Sequence, residues 1–163
     1  MNAQQLSSLV NAAGAAAAGG RWQEAERLWG QVQALDPGNV QALFSLGVHA
    51  FQRGDSRAAL EMLQQARARA PRDPMILLTI GRVHRESGQP EQEWGTIIAA
   101  LEIDPYFLPG LLGRGEFHER QGNPRAAAHA FRNVLTVAPT EPDWPPALRR
   151  RLEHAREVVE RDT

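Results

Sequence analysis

Leu43, Leu46 and Ala50 recur at helical spacing, as do Leu60, Leu63 and Ala66, and Gly54-Asp55 separates the two sets. The pattern predicts two amphipathic helices joined by a tight turn. Gly54 can take the left-handed conformation that ends one helix, and the Asp55 side chain can cap the next. The same break occurs at Gly20-Arg21, Gly88-Gln89 and Gly122-Asn123. Pro90 and Pro124 fall in the first turn of the helices that follow, where a missing N–H is harmless. Pro37, Pro71, Pro105 and Pro139 stop each second helix, because proline disfavours helix in the residue before it.

These breaks share one step. The four prolines lie 34 residues apart, and three further registers keep the same interval: Ala13, Gly47, Gly81, Gly115; Gly20, Gly54, Gly88, Gly122; and Ala25, Ala59, Glu93, Ala127. Coincident registers at a single period mark a repeat array. The small residues predict its packing, since Gly47 on a first helix and Ala59 on its partner let two backbones approach closely while Leu46 and Leu63 fill the flanks. A lone hairpin cannot bury both apolar stripes, so neighbouring hairpins must stack to complete the core.

Leu43, Leu46, Gly47, Ala50, Ala59, Leu63, Ala66 and Pro71 together resemble the signature of the tetratricopeptide repeat family, over roughly residues 4–140. Ala12 and Ala13 in the first repeat, and Glu93 in the third, depart from it. The resemblance implies an all-α, right-handed superhelical array of four helix-turn-helix repeats at about 4–38, 39–72, 73–106 and 107–140. The array then spans 1–140, and a C-terminal capping helix occupies 141–163. Within that last segment Asp143 reads as a cap, Pro145 and Pro146 as a helix start, and Leu148, Leu152, Ala155 and Val159 as the buried stripe. Arg149–Glu153 and Arg156–Glu160 fall at four-residue spacing outside it, and Arg149-Arg150-Arg151 reads as a solvated face offset by nearby glutamates.

Composition narrows function by exclusion. A formal net charge of −1 supplies no global field toward nucleic acid or membrane, and no lysine or cysteine is present. The run Leu9–Ala18 lacks a preceding basic residue and is accounted for by the first helix. No apolar stretch reaches the length of a membrane span. A cytoplasmic protein is expected. His49, His84 and His118 fall on successive helices without a second histidine at i+4, so neither metal nor cofactor is expected.

In the family it resembles, first helices line a concave groove. Residues of those helices that avoid the core stripe are Val10, Phe44, Val48, Phe51, Met75, Leu78, Arg82, Arg85, Leu112, Glu116 and Arg120, giving a groove apolar in its first half and charged in its second. Phe44, Val48 and Phe51 form an apolar cluster of the kind that marks interaction sites. The carboxylate clamp of chaperone-binding family members is absent, since its positions carry Val10, Gly14, Ser45, Met75 and Thr79, with only Arg82 of suitable type. Glu93 and Arg114 replace residues that are normally buried, so they are expected to form a structural ion pair with one another, or Glu93 to use His84 or His118.

Two functions follow as expectations. The first is a protein–protein interaction module, not an enzyme by itself, that holds a peptide or helix with an apolar segment; self-association through the groove fits the same surface. The second rests on Ile103–Pro109 and on Trp144-Pro145-Pro146 with Leu152–Arg156. These stretches resemble the repeat region and connecting helix ahead of the catalytic domain in aspartyl/asparaginyl β-hydroxylase-type proteins, a family of 2-oxoglutarate-dependent iron dioxygenases. On that reading the chain is a targeting domain, and the catalytic domain lies beyond Thr163.

Overall fold

Every hairpin turn in the chain is made the same way. Gly20, Gly54, Gly88 and Gly122 all have φ between +68° and +82°, the region expected of them. After each, the next amide returns five residues to a carbonyl of the preceding helix: Arg21 to Ala16, Asp55 to Ala50, Gln89 to His84 and Asn123 to His118, each at 2.9 Å. This is the Schellman closure, which satisfies carbonyls that a helix end leaves open. Asp55 and Asn123 also cap the following helix by accepting from the amides of Ala58 and Ala126, whereas Arg21 and Gln89 make no side-chain cap.

The computed structural model describes residues 3–138 and 144–162. Among these, the elements are α1 (Ala3–Ala18), α2 (Trp22–Leu35), α3 (Val40–Gln52), α4 (Ser56–Arg69), α5 (Pro74–Glu86), α6 (Pro90–Ile103), α7 (Leu108–Arg120), α8 (Pro124–Val137) and α9 (Pro146–Arg161), with no strand. The all-α repeat solenoid expected from the sequence is the observed architecture. Second helices stop two residues before Pro37, Pro71 and Pro105, and the residues preceding those prolines leave the helical region, as at Asp104 with φ −139° and ψ 101°. Pro139 and the Asp143 cap lie outside the described residues.

Each odd-numbered helix pairs with the even-numbered one after it, and each hairpin packs on the next. Successive first helices also touch, α3 on α5, α5 on α7 and α7 on α9, while successive second helices have no comparable contact. The first helices therefore form an inner layer and the second helices splay outside. The core runs along the stack. Its members include Val32, Leu43, Leu63, Ile76, Val83, Phe131 and Val134, all fully buried, and α9 adds Leu152 and Ala155.

The close approach assigned to small residues is present. A Cβ on Gly47 would lie 2.9 Å from Leu63 Cγ and 3.4 Å from the Ala59 carbonyl oxygen. One on Gly115 would lie 2.4 Å from the Phe131 ring.

Candidate binding clefts on the inner face

α9 stands where a fifth first helix would stand, and it turns the inner face of the last two hairpins into a cleft. Met75, Leu78, Arg82 and Arg85 of α5 form one wall, and Gly113 and Glu116 of α7 form the base. Leu148 and Arg151 of α9 close the far side, around a volume of about 570 Å³. Met75 is 42% exposed, unusually open for a large apolar side chain on an inner helix. The α9 wall is fastened by polar contacts: Arg151 Nε donates to Glu116 Oε1 at 2.7 Å, and His154 Nε2 lies 2.8 Å from Glu119 Oε2. On the outer side, Arg132 of α8 pairs with Asp162 at 2.6 Å.

A smaller cleft of about 330 Å³ opens at the other end of the inner face, lined by Val10 and Gly14 of α1, Trp29 of α2, and Gln41, Phe44 and Ser45 of α3. It carries no charged side chain. Trp29 is buried, and its indole Nε1 has no hydrogen-bond acceptor among the described residues.

The expected groove residues thus divide between two places. Val10 and Phe44 line the N-terminal cleft, whereas Met75, Leu78, Arg82, Arg85 and Glu116 line the larger one. Phe51 lies between them, half-buried against the core, with the Arg82 guanidinium 5.8 Å from its ring centre. Val48 is half-buried on the same helix. Arg85 lies 3.2 Å from Glu86, while Arg82 makes no ion pair among the described residues.

Three expectations need correction. Glu93 is buried as anticipated, but its partner is Arg120 of α7, not Arg114, His84 or His118. α6 and α7 run antiparallel, so the start of α6 faces the end of α7. Arg114 lies six residues short of that point, about 9 Å along the axis. His84 Nδ1 lies 2.7 Å from Gln89 Oε1, and His118 packs on Trp94 at 5.1 Å between ring centres. Leu112, expected in the groove, is fully buried, because α9 covers it with Leu152 and Ala155. The arginine run of α9 is not wholly solvated either, since Arg151 reaches across to Glu116. Arg149 bonds the Trp144 carbonyl at 3.4 Å, and Arg161 pairs with Glu157 at four-residue spacing. Sequence reasoning missed Leu148 and Arg151 as cleft residues; no local signal says which face of a capping helix turns inward.

Two histidines have shifted titration. Burial pushes His49 below its ordinary value of 6.5; Glu26 opposes the shift and Arg53 adds to it. Burial likewise lowers His118, and the Arg114 charge lowers it further. Among the described residues no group of three or more acidic or histidine side chains converges as a metal site would require. Among them, too, no helix is long and apolar enough to cross a membrane.

The model of the tetratricopeptide repeat family matches residues 16–78. No curated protein matches the chain in sequence. Among solved structures, a thermophilic TPR protein of Thermus thermophilus is 21% identical with a TM-score of 0.77, over 96% of this chain and 84% of that one. MamA from Desulfovibrio magneticus RS-1 is 23% identical with a TM-score of 0.71, over 81% and 75%. YrrB, described as a TPR protein with an unusual peptide-binding site, is 16% identical with a TM-score of 0.71, over 93% and 74%. At these identities the likeness carries the fold. The resemblance to β-hydroxylase-type proteins has no counterpart in these matches.

Proposed function

We propose that this tetratricopeptide array is a binding module that holds a peptide segment of another protein along its inner face. One observation carries the reading: the 570 Å³ cleft between α5, α7 and α9 joins open apolar side chains, Met75, Leu78 and Leu148, to the guanidinium of Arg82, which has no ion-pair partner among the described residues. An apolar side chain of the peptide fits between α5 and α9, and an acidic group beside it meets Arg82. Each well-buried apolar side chain contributes about 1.5–3 kcal/mol, enough for a short segment to bind measurably. Phe44, Val48 and Phe51 continue the surface toward the N-terminal cleft, so an extended peptide or an amphipathic helix can engage both. The binding properties stated for YrrB agree with such a role. No catalytic step is assigned to the chain, and the role is cytoplasmic in this reading.

The two clefts can be tested separately. Peptides selected against the whole chain from a random display library should bind Met75→Glu/Leu78→Glu at least tenfold more weakly, with unchanged helicity by circular dichroism. Phe44→Ala/Phe51→Glu should weaken binding less. Unaltered binding by both double variants would place the interaction off the inner face and sink the proposal. Light scattering at several concentrations distinguishes a second copy of the chain as the occupant.

A further inference from the structure

The position held by Ala12, Leu46 and Ile80 in the first three hairpins is held by Arg114 in the fourth. Leu46 and Ile80 are buried core residues. Arg114 is half-buried, and its Nε is enclosed without a hydrogen-bond partner among the described residues. It forms no ion pair among the described residues; Glu93 pairs with Arg120 instead. A buried donor without an acceptor is costly, and a guanidinium cannot shed its proton to escape that penalty. Arg114 therefore destabilises the free protein where an aliphatic side chain would not.

The guanidinium stands in a cleft of its own. Between α6 and α8, in the outer layer where second helices splay apart, a space of about 410 Å³ is lined by Leu101, Tyr106, Leu111, Arg114, Asn133 and Val137. Its walls are mainly apolar. Tyr106 stands at the rim with 72% of its surface exposed, the most open large apolar residue described. Arginine and tyrosine around a pocket are the residue types that dominate binding energy at protein interfaces.

From this arrangement we infer a second docking site, on the outer face, centred on Arg114. Its occupant is an aspartate or glutamate side chain of a partner protein, flanked by an apolar residue. A carboxylate supplies one countercharge for one guanidinium that has no ion-pair partner among the described residues, and it can reach the part of that group that faces the cleft. A phosphate dianion matches less well, because Glu102 and Asp104 lie in sequence between the lining residues Leu101 and Pro105 and repel a second negative charge more than a first. The apolar walls take the flanking side chain, and Tyr106 covers it. The site is independent of the inner-face reading, because no residue lining it lines either inner cleft.

The test follows the Arg114 Nε–Hε signal by heteronuclear NMR while the whole chain is titrated with acetyl-Leu-Glu-Leu-amide, with its glutamine twin, and with acetate. The glutamate peptide should shift that signal saturably and bind at least tenfold more tightly than the other two. Arg114→Leu should abolish the response and melt at a higher temperature than the parent, because it restores the residue type of the earlier repeats. An equal response to acetate would reduce the site to a small-anion pocket and overturn the partner assignment. No saturable shift with any probe, or a lower melting temperature for Arg114→Leu, would remove the site altogether.

Discussion

The second and third hairpins use one 34-residue frame but close it with different chemistry. In the second, Gly47 of α3 approaches Leu63 and the Ala59 carbonyl, and the interface is apolar. In the third, Gly81 of α5 faces Thr96, whose hydroxyl donates to the Glu93 carbonyl at 2.7 Å, and the Glu93 side chain crosses to Arg120 of the next hairpin. The comparison separates what the fold requires from what it tolerates. Close backbone approach is kept in both. The apolar character of the neighbouring side chain is not: in the third hairpin the Thr96 hydroxyl and the Glu93 carboxylate both find partners.

Alanine at the two glycines breaks the comparison most sharply. A Cβ on Gly81 would sit 2.2 Å from Thr96 Oγ1 and force the threonine to rotate away from its acceptor. We expect Gly81→Ala to lose about 2–3 kcal/mol, overpacking and the broken hydrogen bond together. At Gly47 the added carbon meets Leu63 at 2.9 Å, and the higher helix propensity of alanine offsets part of the strain. A loss of about 1 kcal/mol is expected there. Urea unfolding of both variants gives the order directly. Equal losses would mean that the third hairpin absorbs a methyl as readily as the second.

Removing either end of the Glu93–Arg120 pair is the next test, and its value lies in asymmetry. The Glu93 side chain is 8% exposed and the Arg120 side chain 36%. Arg120→Ala leaves a buried carboxylate without its countercharge and should cost about 1–2 kcal/mol, less than a fully buried pair because water reaches the arginine side. Glu93→Ala restores the small residue found at Ala59 and Ala127 and should lie within about 1 kcal/mol of the parent, with either sign. If Glu93→Ala proves the more damaging, the carboxylate holds the hairpins together and is more than a tolerated substitution.

The helices, their turns and the glycine contacts were legible because they depend on local conformation and on a period. Gly54 needs only its own φ, and Pro37 acts on the residue beside it. Glu93 was also legible as an anomaly, since a carboxylate stands where its register has alanine. Its partner was not. Choosing Arg120 over Arg114 requires the axial offset between two antiparallel helices, which no spacing within one helix contains. Leu112 was misplaced for a related reason: α9 covers it, and α9 enters later than the 34-residue step would put it. The inner surface was therefore read correctly as a set of helices but incompletely as a cleft, with Leu148 and Arg151 the missing wall.

The smallest expected effect concerns protons. His49 lies on α3 against Trp22, with ring centres 5.9 Å apart, while His118 lies on α7 against Trp94 of the third hairpin. Folding lowers both imidazoles below 6.5, first through burial. The unfolded chain therefore binds protons more readily than the folded one, and the contribution of these residues to stability is present above about pH 6.5. It is lost as pH falls through the depressed folded values. At His49 Arg53 adds to the effect of burial and Glu26 opposes it, while at His118 Arg114 adds to it, so both residues should contribute to the pH dependence. Between pH 7 and pH 5 the melting temperature should fall less steeply in His118→Phe, which keeps an aromatic ring against Trp94, than in the parent. His49→Phe should flatten the fall as well. Parallel curves for His118→Phe and the parent would mean that this imidazole titrates alike in the folded and unfolded chain, and that its stacking on Trp94 does not exclude water from the ring.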